Sequence, residues 1–199
     1  MATRNEHKLR ELSEVLSGLE LVPLPPGVEL PPEEGETFAD NAIAKARAAH
    51  RATRGPAIAD DSGIEARALG GAPGVRSARF AGPGASDEEN LRLLLRELER
   101  AEDRRAAYVC ALAYVDAAGG EHLVEGRCEG TLATEPRGSG GFGYDPAFVP
   151  ADTGPDDERT MAELSPEEKH AISHRGRAAR LLAEQLAGAT EHPAGGAER

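Results

Sequence analysis

Four groups of polar residues stand where a hydrophobic core has no use for them. The first, Thr3, Asn5 and Lys8, opens a helical segment. A helix N-terminus leaves N–H groups unpaired and favours anions, and a hydroxyl, an amide and an ammonium strengthen that preference. An ordinary cap beside a solvated lysine has the same composition. The second group is acidic. Glu33 and Glu34 precede a helix, and Asp60-Asp61 follow the short apolar run Ala57 to Ala59. Carboxylates are hard oxygen ligands, and Mg²⁺ takes one or two of them and completes its shell with phosphate and water. Asp60-Asp61-Ser62-Gly63 reads as a strand ending in a turn, which would place the pair at a strand's carboxyl end, where open α/β sheets hold ligands. A turn alone would need no ligand.

The third group is Gly140-Gly141-Phe142-Gly143-Tyr144-Asp145-Pro146. Glycines let backbone approach a ligand closely, and an aromatic ring can stack on a base. Only 4% of the chain is aromatic, so Phe142 and Tyr144 in one glycine-rich turn stand out. Phe142 in the core of a hairpin turn is the plainer reading. The fourth group is Lys169, Ser173, His174 and Arg175. In one continuous helix Lys169 and His174 would sit about 140° apart, at about 100° per residue. A break at Ser173, with Ser173 capping a new helix, brings Lys169 and that helix's N-terminus toward one spot. Otherwise these are charges on a solvated face.

The elements that must carry these groups are legible. A helix over Glu6 to Leu16 has the stripe Leu9, Leu12, Val15 and Leu16. Pro23 to Pro32 is a proline-rich connector. Thr37 caps a second helix, with Asp40 as an approximate capping box and Phe38, Ala42, Lys45 and Ala49 on one face. Ser86 and Glu89 box a third, whose stripe is Leu91, Leu94, Leu95 and Leu98. Ala107 to Asp116 and Glu121 to Leu132 form a β-hairpin. Ser165-Pro166-Glu167-Glu168 starts a further helix. Helices and strands interleave, which predicts an α/β or α+β fold with a mixed sheet. Residues 1–187 form one domain, and the polar tail 188–199 is expected to be disordered.

Bulk properties narrow the classes. The 199 residues are 39% hydrophobic, enough for a core, and the net charge of −12 argues against an electrostatic nucleic-acid binder. A nucleotide can still bind where local cations or a metal offset its phosphates. No apolar run approaches the roughly 20 residues of a membrane span, and no secretory signal opens the chain. Cys110 and Cys128 read as buried free thiols and suit a reducing cytoplasm. There is no GxxxxGK[ST] phosphate loop and no Ser-His-Asp or Cys-His arrangement.

Taken together, six segments resemble the inosine triphosphate pyrophosphatase family, the non-canonical purine NTP pyrophosphatases. They are Ala2–Lys8, Glu33–Ala42, Ala59–Gly63, Gly71–Phe80, Gly141–Pro146 and Glu168–Arg175, and the likeness runs from Ala2 to about Leu186. The resemblance implies an elongated mixed sheet with flanking helices, two lobes around a central nucleotide cleft, and a homodimer. It implies Mg²⁺-dependent hydrolysis of ITP, dITP and XTP at the α–β phosphate bond, giving a monophosphate and pyrophosphate. On the matching positions, Thr3, Arg4, Asn5, Glu6, His7 and Lys8 would bind the triphosphate. Glu33 and Asp61 would hold Mg²⁺, with Asp61 also the catalytic base. Ser62, Phe142, Gly143, Tyr144, Asp145, Lys169, His174 and Arg175 would bind the nucleotide, with His174 and Arg175 near the base.

Three departures stand out. Asp40 replaces a common Glu, shortening any reach to a metal, and Arg76 replaces a common aromatic, with consequences expected at the cleft rim or a dimer contact. The apolar strand expected before Thr3 is missing, so the native start is expected several residues upstream. Two other readings stay open: a Maf-like nucleotide pyrophosphatase, against which Ser173-His174-Arg175 argues, and a catalytically inactive nucleotide-binding protein, against which Glu33, Asp61 and Lys169 argue.

Overall fold

The computed structural model describes residues 1–3, 5–16 and 18–191, except for the side chains of Glu6 and residues 189–191. The helices are α1 (Glu6–Val15), α2 (Phe38–Thr53), α3 (Asp87–Glu97), α4 (Pro166–Ile172) and α5 (His174–Glu191). The strands are β1 (Ala57–Ala66), β2 (Arg105–Val115), β3 (Glu121–Leu132) and β4 (Phe148–Pro150). The α/β class is as expected. The sheet order is β1-β2-β3-β4, and all three ladders are antiparallel, so the described sheet is antiparallel and not the mixed sheet expected; each strand follows its neighbour in the chain, and no crossover sets two of them parallel.

Helix starts follow local chemistry. Thr37 with Asp40, Ser86 with Glu89, and Ser165 with Glu168 each form a reciprocal capping box. Asp40 is therefore committed to Thr37, whose N–H and hydroxyl both donate to its carboxylate. The chain breaks at Ser173 (φ −63, ψ 148), and its Oγ accepts the Gly176 N–H at 3.0 Å, so α5 begins where the sequence placed it. Helix α5 continues through Gly188 to Glu191, into the expected tail, and 192–199 lie outside the described residues.

One local expectation is corrected. Asp60-Asp61-Ser62-Gly63 is not a turn but the middle of the ten-residue β1, paired with Leu112, Ala111, Cys110 and Val109. Turn propensity is weak and local, whereas β2 offers a full ladder of partners and burial on both sides of β1.

The pleat sorts the core. Ala57, Ala59, Val109, Ala111, Ala113 and Val115 face α2 through Phe38, Ala42, Ala46 and Ala49. On the opposite face Ile58, Cys110 and Leu112 pack on α1 and α5 through Leu12, Leu16, Ala178 and Leu182. Farther along, Ile64, Ala66, Tyr108 and Cys128 join α3, Tyr144, Phe148 and Met161. Asp60 and Ser62 interrupt the apolar side of β1 between the second and third clusters, and there the cleft opens. Strand β1 is an edge. Ala2 bonds to Ile58 and Pro73 bridges to Glu65, and the stretch between, Asp60 to Gly63, lines the cleft. Cys110 and Cys128 are free and buried, and burial pushes both thiols up to about 12. Arg76 is exposed and does not line the cleft.

Candidate active site

The cleft has a volume of about 730 Å³, in the range of small-ligand sites, and all four polar groups reach it. Thr3, Asn5, His7 and Lys8 enter from the start of α1. Thr3 Oγ1 accepts the Asn5 N–H at 3.1 Å, and Asn5 caps α1 by accepting the Lys8 N–H at 3.2 Å. Arg4 lies outside the described residues, as does the side chain of Glu6.

Alternation along β1 sends its two aspartates to opposite faces. Asp60 is buried with Lys8 Nζ at 2.8 Å and Arg175 Nε at 3.7 Å. Burial pushes its carboxyl up, but Lys8, Arg175 and Lys45 outweigh that and hold it well below the usual carboxylate range. Asp61 faces α2. It accepts from Asn41 Nδ2 at 2.9 Å and lies 3.4 Å from Lys45 Nζ, which also contacts Glu33 Oε1 at 2.6 Å. Burial raises the Asp61 carboxyl pKa; Lys45 opposes this and the nearby Glu33 reinforces it. Glu33 is further held by Arg79, which donates to its backbone carbonyl at 2.8 Å.

The opposite wall is the glycine-rich loop. Gly141 has φ +71, and a Cβ there would stand 2.0 Å from Asp145 Oδ2, so this turn admits only glycine. Asp145 organises the wall. It accepts from the Phe142 N–H at 3.0 Å, Tyr108 Oη at 3.0 Å and Lys169 Nζ at 2.9 Å. Gly143 N donates to Asp87 at 2.8 Å and Tyr144 Oη to Ser77 O at 2.7 Å. The break at Ser173 brings Lys169 and Arg175 together on Glu11, a buried carboxylate of α1; Lys169 Nζ is 3.2 Å from it, and Arg175 Nη1 donates to it. Arg175 Nη2 also donates to Ser62 Oγ at 3.1 Å. His174 stacks on Tyr108 with centroids 4.7 Å apart. Burial, then Arg175, Lys169 and Lys8, keep its imidazole pKa well below the usual value, so it is neutral at pH 7. Among the described residues, Asp60 Oδ1, His174 Nδ1 and Arg175 Nε, all buried at the cleft, have no hydrogen-bond partner. Unsatisfied buried groups are costly, and a ligand that satisfies them gains accordingly.

Apart from Arg4 and Glu6, every residue expected at the site lines this cleft. Glu11, Asn41, Arg79, Asp87 and Tyr108 were not foreseen, nor was the bridging role of Lys45. Lys45 carried a readable signal, a lysine on an otherwise apolar helix face, and Glu11 sits one helical turn from Lys8. The others had no sequence signal. As for a metal, no group of three or more His, Cys, Asp or Glu that could hold one occurs among the described residues. The Glu33–Asp61 pair, with an ammonium already between the two carboxylates, is the donor set that fits. Two carboxylates suit Mg²⁺, which takes its remaining ligands from phosphate and water. No helix among the described residues is long and apolar enough to cross a membrane.

The Ham1 family model matches residues 1–185. A dITP/XTP pyrophosphatase of Mycobacterium tuberculosis is 53% identical over 191 residues, covering 92% of this chain and 91% of the relative. Among solved structures, a HAM1 protein from Coxiella burnetii is 43% identical with a TM-score of 0.82, over 94% of this chain and 96% of that one. A nucleoside-triphosphatase / dITP/XTP pyrophosphatase from Mycobacterium abscessus is 49% identical with a TM-score of 0.74, over 92% and 96%. With a matching family model along nearly its whole length and relatives this similar, the chain belongs to the Ham1 family.

Proposed function

We propose that this protein hydrolyses non-canonical purine nucleoside triphosphates, namely ITP, dITP and XTP, to the monophosphate and pyrophosphate, with Mg²⁺. The observation that carries the reading is the cleft itself, in which a carboxylate pair, three lysines and an aromatic wall converge. The names of the relatives agree with it, and the Ham1 match lends no support to a Maf-like activity. Glu33 and Asp61 would hold the metal, which when bound offsets phosphate charge and polarises water. Asp61 accepts a proton from the attacking water, a task its raised pKa favours. The water oxygen bonds to the α-phosphorus as the α–β bridging bond breaks, and pyrophosphate leaves. The chain's share is then positioning and charge. Thr3, Asn5 and Lys8 hold the polyphosphate, Lys169 offsets its charge, and Ser62 and Arg175 orient the nucleotide.

Base choice follows from hydrogen bonding. Hypoxanthine and xanthine carry a 6-oxo acceptor where adenine has an amino donor. Donors from neutral His174 and from Arg175 match the oxygen and leave adenine unpaired. Phe142, Gly143, Tyr144 and Asp145 form the wall beside the base. We read residues 1–187 as one domain and the protein as a cytoplasmic homodimer. The test is pyrophosphate release with Mg²⁺ from ITP, dITP, XTP, GTP and ATP. The first three should far exceed ATP. Orthophosphate as the primary product would mean γ-cleavage and sink the mechanism.

A further inference from the structure

We propose that His7 supplies a second aromatic face for the purine, opposite Phe142, and does not serve the phosphates. The proposal rests on the nucleotide reading above. The His7 ring lies on that of Phe142, with centroids 5.4 Å apart and planes 23° from parallel, and both residues line the cleft. One turn of α1 thus divides its work. Lys8 reaches down to Asp60 in β1, while His7, the residue before it, crosses to the glycine-rich wall. The Phe142 ring is also approached by Lys169 Nζ at 5.1 Å and Arg175 Cζ at 5.8 Å, so the stack lies among the groups assigned to the nucleotide.

The two rings lie against each other across the cleft. A base between two rings needs about 7 Å, two contacts of about 3.5 Å each, so the rings must part by roughly 1.5 Å. His7 is the side that moves. The Phe142 backbone is pinned, because its N–H donates to Asp145 at 3.0 Å and the next N–H to Asp87 at 2.8 Å. His7 is exposed on the first turn of α1 and is steadied by Arg10, whose Nη2 lies 3.2 Å from its Nδ1.

The experiment compares two probes, ITP and inorganic tripolyphosphate, the second carrying the phosphates without a base. Wild-type release of pyrophosphate from ITP first checks the nucleotide reading on its own. His7→Ala should then raise KM for ITP about tenfold, in line with the loss of one base–aromatic contact. The inhibition constant of tripolyphosphate should stay unchanged, and His7→Phe should restore the KM. Equal weakening of both probes would assign His7 to the phosphates and overturn the proposal. An unchanged or lower KM in His7→Ala would overturn it too, by showing that the His7 ring contributes nothing to holding the base.

Discussion

Replacing Asp60 and Asp61 one at a time by asparagine should give opposite outcomes, although the residues are adjacent in β1. Asp60 has lost nearly all contact with water and balances Lys8 at 2.8 Å and Arg175 at 3.7 Å. Its folded pKa is depressed, so its stabilisation is complete above the unfolded value of about 3.9 and is lost only as pH falls through the folded value. Breaking a buried pair costs about 3–5 kcal/mol. Arg175 keeps Glu11, so we take roughly 2–4 kcal/mol for Asp60→Asn. At about 2–4 °C per kcal/mol for a chain of this size, Tm should drop by roughly 5–15 °C.

Asp61 has a raised folded pKa, so the sign reverses. The folded state holds its proton more tightly, and stability falls as pH rises from about 3.9 through the folded value. At neutral pH the ionised Asp61 is a burden that Asp61→Asn removes, while Lys45 keeps Glu33 as its partner. We expect a stability within about 1 kcal/mol of wild type, with a turnover on ITP lower by about 10²–10⁴-fold. The assays are thermal melting at pH 7.5 and pyrophosphate release from ITP at saturating Mg²⁺. The reasoning fails if Asp60→Asn melts with wild type, if Asp61→Asn is the less stable of the two, or if Asp61→Asn keeps near-normal turnover.

Three further outcomes follow from the same geometry. His174→Ala should cut the ITP-to-ATP ratio of kcat/KM about tenfold, because a buried donor–acceptor mismatch is worth roughly 1–3 kcal/mol; proportional loss on both substrates would remove His174 from base recognition. Lys45→Met strips the ammonium between Glu33 and Asp61 and should cost about 3 kcal/mol, and Mg²⁺ should recover more of that than it adds to wild type. An identical Mg²⁺ effect on both melting curves would show that the pair binds no metal. Gly126→Ala would put a Cβ 2.2 Å from the His174 carbonyl oxygen and 2.5 Å from Ala178 N, so β3 and the first turn of α5 must part. It should cost about 1–3 kcal/mol and raise KM for ITP, and unchanged values for both would mean that this contact does not position His174.

Features decided within one turn of chain were legible in the sequence. The boxes at Thr37, Ser86 and Ser165 and the break at Ser173 depend on side chains three residues from the groups they bond, so local order suffices to specify them. The hairpin of β2 and β3 is specified by its alternating runs and a short glycine turn. The four polar groups were legible as well, because charge and glycine where no core needs them are visible in residue types alone. Tertiary structure decided how those groups are paired. Asp60-Asp61 has the composition of a turn, and only the ladder with β2, about fifty positions away, makes it a strand and turns the two carboxylates to opposite faces. Whether each is stabilised or strained depends on cations from α1, α2 and α5. The Glu11 carboxylate meets Lys169 and Arg175 across 158 and 164 residues. Propensity acts between neighbours in the chain, whereas burial and Coulomb forces act between neighbours in space, and those neighbours exist only once the sheet has brought distant helices to one edge.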